Sequence, residues 1–266
     1  MYTLGIDVGS SSSKAVILQD GKTVVAHAVV EIGTGSSGPE RVLKDVFEGT
    51  NLTLDDMTNI ISTGYGRFNV AYAKGEISEI TCHAKGALFE CPGTLTILDI
   101  GGQDVKAIKL NKQGMVMQFA MNDKCAAGTG RFLDVMSKVL EIPISDMGKW
   151  YFKSKNPAPV SSTCTVFAES EVISLLSKNI PKEDIVAGVH KSIASKASAL
   201  VRRVGVEGSL TMTGGGARDP GVVDAISKEL GVEVKVADHP QVIGALGAAL
   251  LAYEKIKNST QRRETS

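Results

Sequence analysis

Two thiols and two carboxylates have surroundings suited to chemistry. Cys125 lies in Asn122–Asp134, NDKCAAGTGRFLD, and Cys164 lies in SSTCTVFAESEVISLLS; each stands ahead of a run with helical apolar spacing. A helix start favours thiolate, and thiolates in sets of four hold either zinc or an iron-sulfur cubane. Asp7 and Asp99 each end an apolar strand and open a loop of small residues, DVGSSSSK and DIGGQD. The amides and hydroxyls of Gly9, Ser10, Ser11, Ser12 and Ser13, with Lys14, can face phosphate oxygens, as can Gly101, Gly102 and Gln103. An aspartate at a strand end can hold Mg²⁺ directly or through water. Hairpin turns use the same residue types. Two such loops and a third glycine run, Gly214, Gly215, Gly216 and Ala217 in TGGGARD, together meet what a nucleotide needs: phosphate cradles and a flat platform for base and ribose.

These residues require elements to position them. Tyr2–Val8 reads as a strand, followed by a turn and a second strand, Lys14–Leu18, which passes through an Asp20-Gly21 hairpin into TVVAHAVV. TILDIGGQDVKAIKL repeats the plan. With Asp7 laid on Asp99 and no gap, Gly9 meets Gly101, Lys14 meets Lys106, Ala15 meets Ala107 and Leu18 meets Leu110. The pattern predicts helices over 39–48, 129–142 and 185–204 and in the run after Cys164, with Pro143 and Pro181 as stops. VIGALGAALLAYEKI is a further helix, whose Gly244 and neighbouring small residues permit close approach. The expected fold is α/β, two duplicated domains: 1–92 completed by helix 241–257, then 93–240, then a flexible tail over 258–266.

Composition narrows the classes. The 266 residues are 43% hydrophobic, enough for buried cores, and 29 basic residues balance 29 acidic ones, so no global field draws nucleic acid or an anionic membrane. Without a leader-like start or a long apolar run, the expectation is a cytoplasmic chain. Cys82 and Cys91 read as small buried hydrophobes, and His27, His83, His190 and His239 as scattered surface or packed side chains without ligand spacing. G-x-x-x-x-G-K-[ST] is absent, and AAGTG near Cys125 lacks the βαβ frame of a dinucleotide site.

GIDVGSSSSK, LDIGGQD, TGGGA and GALGAAL, in that order, resemble the phosphate, adenosine and closing-helix segments of the acetate kinase, sugar kinase, heat-shock chaperone and actin superfamily. MNDKCAAGTGRFLDVM with SSTCTVFAESEVISLLS resembles the ATP-dependent activators of 2-hydroxyacyl-CoA dehydratases, the group that includes benzoyl-CoA reductase ATPase subunits. Gly216 and Asp219 stand where relatives often have a larger apolar residue and Asn. The resemblance implies ribonuclease-H-like (actin-type) domains with mixed sheets and a nucleotide cleft between them. It implies ATP/ADP and Mg²⁺ as ligands, Asp7 and Asp99 near the metal, Gln103 orienting a hydrolytic water, and Gly244 at the nucleotide. Cys125 and Cys164 would supply half the ligands of a 4Fe-4S cluster bridging a homodimer, a centre lost in air. Its acceptor would be an iron-sulfur dehydratase, given one low-potential electron, and its donor a ferredoxin or flavodoxin. A plain small-molecule kinase and a zinc-stabilised regulatory ATP-binding protein are the rival readings.

Overall fold

A computed structural model describes residues 1–35, 37–161 and 164–264. The chain divides into two compact units, one of Met1–Pro92, Gly114–Val116 and Gln241–Ser266, the other of Gly93–Gln113 and Met117–Pro240.

In the first unit, strands β1 (Tyr2–Val8), β2 (Ser13–Gln19), β3 (Thr23–Val30) and β4 (Met57–Thr63) form a sheet in the order β3-β2-β1-β4. β1 runs antiparallel to β2 and parallel to β4. The central position of β1 explains why every residue from Thr3 to Val8 is buried, since both of its faces are covered. β3, at the edge, alternates between exposed and half-buried positions. Asp20 and Gly21 both take positive φ, 53° and 67°, which is the backbone twist a tight hairpin turn wants. Helix α1 spans Gly38–Phe47 and α2 spans Glu79–Glu90.

The C-terminal helix, Ile243–Glu264, packs on β1 and α2 through residues without bulk. A Cβ on Gly5 would strike the Ala245 carbonyl, one on Gly86 the Ile243 carbonyl, and one on Gly247 the Cys82 carbonyl. The Thr3 hydroxyl donates to Ala249 O across this seam, at 2.9 Å. The helix continues to Glu264, through the segment expected to be a flexible tail from residue 258. Nothing in NSTQRRE breaks a helix, and solvated polar residues extend one at little cost.

The second unit contains β5 (Thr94–Ile100), β6 (Val105–Leu110), β7 (Val116–Asn122), β8 (Ser209–Thr213) and β9 (Val234–Val236), ordered β7-β6-β5-β8-β9. Its first four strands repeat the order of the first unit, and β5 again pairs antiparallel to the next strand and parallel to the fourth. The helices are α3 (Gly130–Leu140), α4 (Met147–Tyr151), α5 (Thr165–Ser177), α6 (Lys182–Val204) and α7 (Pro220–Leu230). The core joins Leu98 and Ile100 to Phe132, Met136, Val172, Val189 and Ile193.

Two expected helix stops work differently. α3 ends at Glu141 in the left-handed region, φ 56°, ahead of Pro143, and α5 ends at Ser177, before Asn179, φ 56°. Pro143 and Pro181 instead precede the following helical turns, where a missing amide costs nothing. That is why α6 begins at Lys182, ahead of the expected Ile185. Arg202 and Arg203 fall in its last turn, as the dipole favours.

Candidate functional site

Each unit builds a loop at the end of its first strand, and the two loops match atom for atom over several contacts. In unit 1, Asp7 pairs across β2 with Lys14 and across β4 with Thr63. In unit 2, Asp99 pairs with Lys106 and with Thr213 in the same registers. Gly9 N donates to Ser12 O at 3.0 Å, and Gly101 N to Asp104 O at 2.9 Å, closing turns of equal length. Gly64 and Gly214 follow the paired threonines, with φ of 86° and 82°. A Cβ on Gly64 would meet Val8 O and Asp7 Oδ1, and one on Gly214 would meet Ile100 O and Asp99 Oδ1, so glycine is required at both by space as well as by φ. The repeat Thr-Gly-x-Gly at 63–66 and 213–216 is a signal in the sequence that the alignment of the Asp loops alone misses.

Loop 1 carries Ser10, Ser11 and Ser12 half-buried, whereas Ser13 is fully buried and its hydroxyl donates to Ile32 O at 2.8 Å. Thr34 N donates to Gly9 O and Gly66 N to Val8 O, at 2.9 and 2.8 Å, which pins the loop from behind. Asp7 is buried and lies 3.4 Å from Lys14 Nζ. Gly244 closes on Asp7 within the same unit: a Cβ there would sit 3.1 Å from Asp7 Oδ2 and 3.2 Å from His83 Nε2.

Loop 2 leaves Gln103 exposed between half-buried Gly102 and Asp104. Asp99 is enclosed; Thr213 Oγ1 donates to its Oδ1 at 2.9 Å and Lys106 Nζ lies 3.3 Å from its Oδ2. Asp104, a residue the sequence reading passed over, stands 2.7 Å from the same lysine. The glycine platform is a turn of 3₁₀ helix over Gly215–Arg218, anchored by Gly214 N donating to Pro240 O at 2.7 Å. Gly215 is exposed while Gly214, Gly216 and Ala217 are buried. An open groove of about 370 Å³ borders it, lined among others by Ala217, Arg218, Pro220, Val223 and Val234. Asp219 is committed elsewhere: its Oδ1 caps α7 by accepting from Gly221 N at 2.8 Å, and its Oδ2 faces buried His190 Nε2 at 3.1 Å.

The cysteines of unit 2 are half-buried. Cys125 packs against the edge of the core and its carbonyl accepts from Asn122 Nδ2 at 3.1 Å; Ala126 O then accepts from both Thr129 N and Thr129 Oγ1, at 3.0 and 2.7 Å. The first amides of α3 are taken up by loop 2: Gly130 N donates to Gly101 O at 2.9 Å and Arg131 N to Gly102 O at 2.8 Å. Loop 2 therefore supplies the acceptors that an unpaired helix start needs. A Cβ on Gly130 would come within 3.2 Å of Gly101 O. Arg131 points to Asp134 at 3.1 Å on the surface. Cys164 is itself the N-cap of α5, and Ala168 N donates to its carbonyl at 3.0 Å; Ser162 and Thr163 ahead of it lie outside the described residues. The apolar residues of α5 are not all packed. Ala168 and Val172 are buried, but Val166, Phe167 and Ile173 are 66%, 66% and 51% exposed, so the expected apolar face of Phe167 and Ile173 is open.

In unit 1, Cys82 is fully buried against α2's close seam, and burial pushes its thiol up to about 12. Cys91 caps the end of α2 half-buried. No set of three His, Cys, Asp or Glu side chains able to hold a metal occurs among the described residues. None of the helices searched is long and apolar enough to cross a membrane.

The whole arrangement can be compared with known proteins. The model of the BadF/BadG/BcrA/BcrD ATPase family matches residues 4–252. The chain belongs to this family. It is 57% identical over 254 residues to the activator of lactoyl-CoA dehydratase from Anaerotignum propionicum, covering 96% of this chain and 98% of that one. The solved activator of 2-hydroxyisocaproyl-CoA dehydratase from Clostridium difficile, with bound ADPNP, superposes with a TM-score of 0.96 at 51% identity, covering 98% of each chain. A ROK family glucokinase from Streptomyces griseus, at 12% identity and a TM-score of 0.61 over 96% of this chain and all (100%) of its own, shares the fold alone. The fold is thus the duplicated, actin-like α/β one that the resemblance implies.

Proposed function

We propose that this protein is an ATP-hydrolysing activator that delivers one low-potential electron to a 2-hydroxyacyl-CoA dehydratase. The likeness to an ADPNP-bound activator over nearly the whole chain supports nucleotide binding. The two loops present what phosphates require: Gly9 to Ser12 with Lys14 in unit 1, and Gly101 to Gln103 in unit 2. The groove that Ala217 and Arg218 line has room for a flat base. ATP and water become ADP and phosphate, with exposed Gln103 orienting the water. Mg²⁺ fits this donor set, since it accepts few carboxylates and keeps waters and phosphate oxygens for the rest. Asp7 in loop 1 and the carboxylates around Asp99 in loop 2 are each candidates to hold it.

The thiols also fit an iron-sulfur centre. Cys82 is sealed in the core and Cys91 belongs to the other unit, which leaves Cys125 and Cys164 as half a ligand set in unit 2. A second copy would complete it, and Val166, Phe167 and Ile173, exposed beside Cys164, are what a subunit contact would cover. When bound, a 4Fe-4S cluster supplies a one-electron carrier, to be recharged by a ferredoxin or flavodoxin.

One observation carries the coupling of nucleotide to thiols: the Gly101 and Gly102 carbonyls hold the first turn of α3, which begins five residues on from Cys125. A shift of loop 2 between ATP and ADP states must move that turn or break its hydrogen bonds. Such a shift is useful only if the two nucleotides bind the alternative arrangements unequally. The test is anaerobic: iron, sulfide and molar mass of the purified protein, with about four irons per pair of chains expected. A colourless zinc protein, or a monomer with a complete cluster, would overturn the reading.

A further inference from the structure

His190, in the interior of α6, is fully buried, yet both of its ring nitrogens have oxygen partners. Nδ1 lies 2.8 Å from Val186 O, one turn back along the helix, and Nε2 lies 3.1 Å from Asp219 Oδ2. A carbonyl and an ionised carboxylate only accept, so a neutral imidazole would satisfy one of them and turn a lone pair on the other. The surroundings of Asp219 favour its ionised form. Its Oδ1 accepts from Gly221 N at 2.8 Å and Val222 N at 3.3 Å, at the start of α7, where the helix dipole suits negative charge. The cluster is tightly packed: a Cβ on Gly221 would sit 2.9 Å from His190 Nε2, and one on Gly148 2.6 Å from Asp219 Oδ1. Asp219 also closes the glycine platform, since its own amide donates to Gly216 O at 3.3 Å.

We infer that His190 carries a proton on each ring nitrogen and that its ion pair with Asp219 is a latch fixing the glycine platform to α6. The pair is neutral as a whole and hydrogen-bonded at both ends, which is what lets it stand in the interior. His190 is a positioning residue, because it reaches the platform only through Asp219. This deepens the reading of Gly214 to Ala217 as the seat of base and ribose, and rests on it. Two titratable groups face the ring from other elements. Asp219 is one; the other is Tyr151 of α4, whose ring centroid lies 5.0 Å away and whose hydroxyl donates to Asp224 Oδ2 at 2.6 Å, beside Lys228 Nζ at 2.6 Å from the same oxygen. Burial pushes the Tyr151 hydroxyl above the ordinary phenol range, so it keeps its proton in mild alkali. Loss of a ring proton from His190 sets a lone pair against a buried carboxylate, and the latch is released as pH rises. Asparagine at position 219 would end that dependence, since its amide donates to Nε2 of a neutral ring.

The experiment compares the wild-type holoprotein with Asp219→Asn, a change of equal size whose folding a melting curve verifies. Nitrogen-15 NMR of histidine-labelled protein at about pH 7 should show two protonated ring nitrogens for His190 in the wild type and one in the variant. His190 is the most deeply buried of the four histidines, so slow exchange of its ring protons with water assigns them even if the variant does not fold. Calorimetric titration with ADP should show wild-type affinity falling about fivefold more than that of Asp219→Asn between about pH 7 and about pH 9, the scale of one net hydrogen bond. Groups that titrate elsewhere are common to both proteins and cancel in this difference. A single ring proton on wild-type His190 overturns the inference, and so do ADP affinities that change in parallel with pH. Failure of the wild type to bind ADP at any pH would instead bring down the platform reading beneath it, and the ring protons would still be counted, so the two failures are told apart.

Discussion

Units 1 and 2 share a strand order, an Asp-Lys cross-strand pair, an Asp-Thr parallel pair and a glycine at positive φ, yet they have been given different work. Unit 1 buries its only helix-interior thiol, Cys82, under glycine-mediated packing, while unit 2 leaves Cys125 and Cys164 partly open at the approaches to α3 and α5. A duplicated backbone fixes where a strand-end aspartate sits. What stands beside it differs: Lys14 Nζ lies 3.4 Å from both Asp7 Oδ2 and Ser12 O, whereas Lys106 Nζ is shared by two carboxylates, Asp99 at 3.3 Å and Asp104 at 2.7 Å.

The largest effect should come from the thiols. Cys125→Ala or Cys164→Ala should remove essentially all iron in anaerobic metal analysis while ADP binding persists, and Cys82→Ala should keep its iron. Full iron in either unit 2 variant would erase the contrast between the units. Next, Asp7→Asn should lower the steady-state ATPase rate roughly hundredfold with iron content unchanged, the scale of losing one electrostatic contact to the transition state. A normal rate would remove loop 1 from the metal site.

Smaller and more diagnostic is the pair Gly64→Ala and Gly214→Ala. Both positions combine positive φ with contact to a carbonyl, so denaturant titration should show similar losses of about 1–3 kcal/mol. Very unequal losses would show that the duplication is superficial. The smallest effect concerns Asp184, at the start of α6 in unit 2. The Ser154 hydroxyl, followed by the Asn156 and Lys155 amides, holds its carboxyl below the usual range. A depressed folded pKa means the contribution is present above the unfolded value, near about 4, and is lost as pH falls through the folded one. The difference in melting temperature between wild type and Asp184→Asn should therefore be constant above about pH 5 and shrink below about pH 4. A difference that grows on acidification would reverse the assigned cause.

Much of this was legible in the chain. The ungapped register of Asp7 on Asp99 predicts the cross-strand lysines, because antiparallel pairing over a short turn fixes partners by counting. The Asp20-Gly21 hairpin follows from residue type. Other features were not legible for stated physical reasons. Pro143 and Pro181 look like helix stops, but a proline fits a helix start equally well, and only the left-handed Glu141 and Asn179 show which role was taken. The apolar spacing of α5 signals a buried face, yet spacing cannot report whether a covering surface exists within the same chain. Asp219 follows the glycine platform in sequence and is drawn away by His190 and the start of α7.

By itself the sequence determined the strand-loop-strand repeat, the glycines that the turns demand, and the presence of two thiols ahead of helices, all set by local sterics and short-range counting. Tertiary structure alone decided that Lys106 is shared by Asp99 and Asp104, that the amides of Gly130 and Arg131 belong to loop 2, and that Cys91 is only half-buried where Cys82 is sealed. Those outcomes depend on which groups are brought together across long separations and on how much water is left between them, and neither quantity is written in the order of residues.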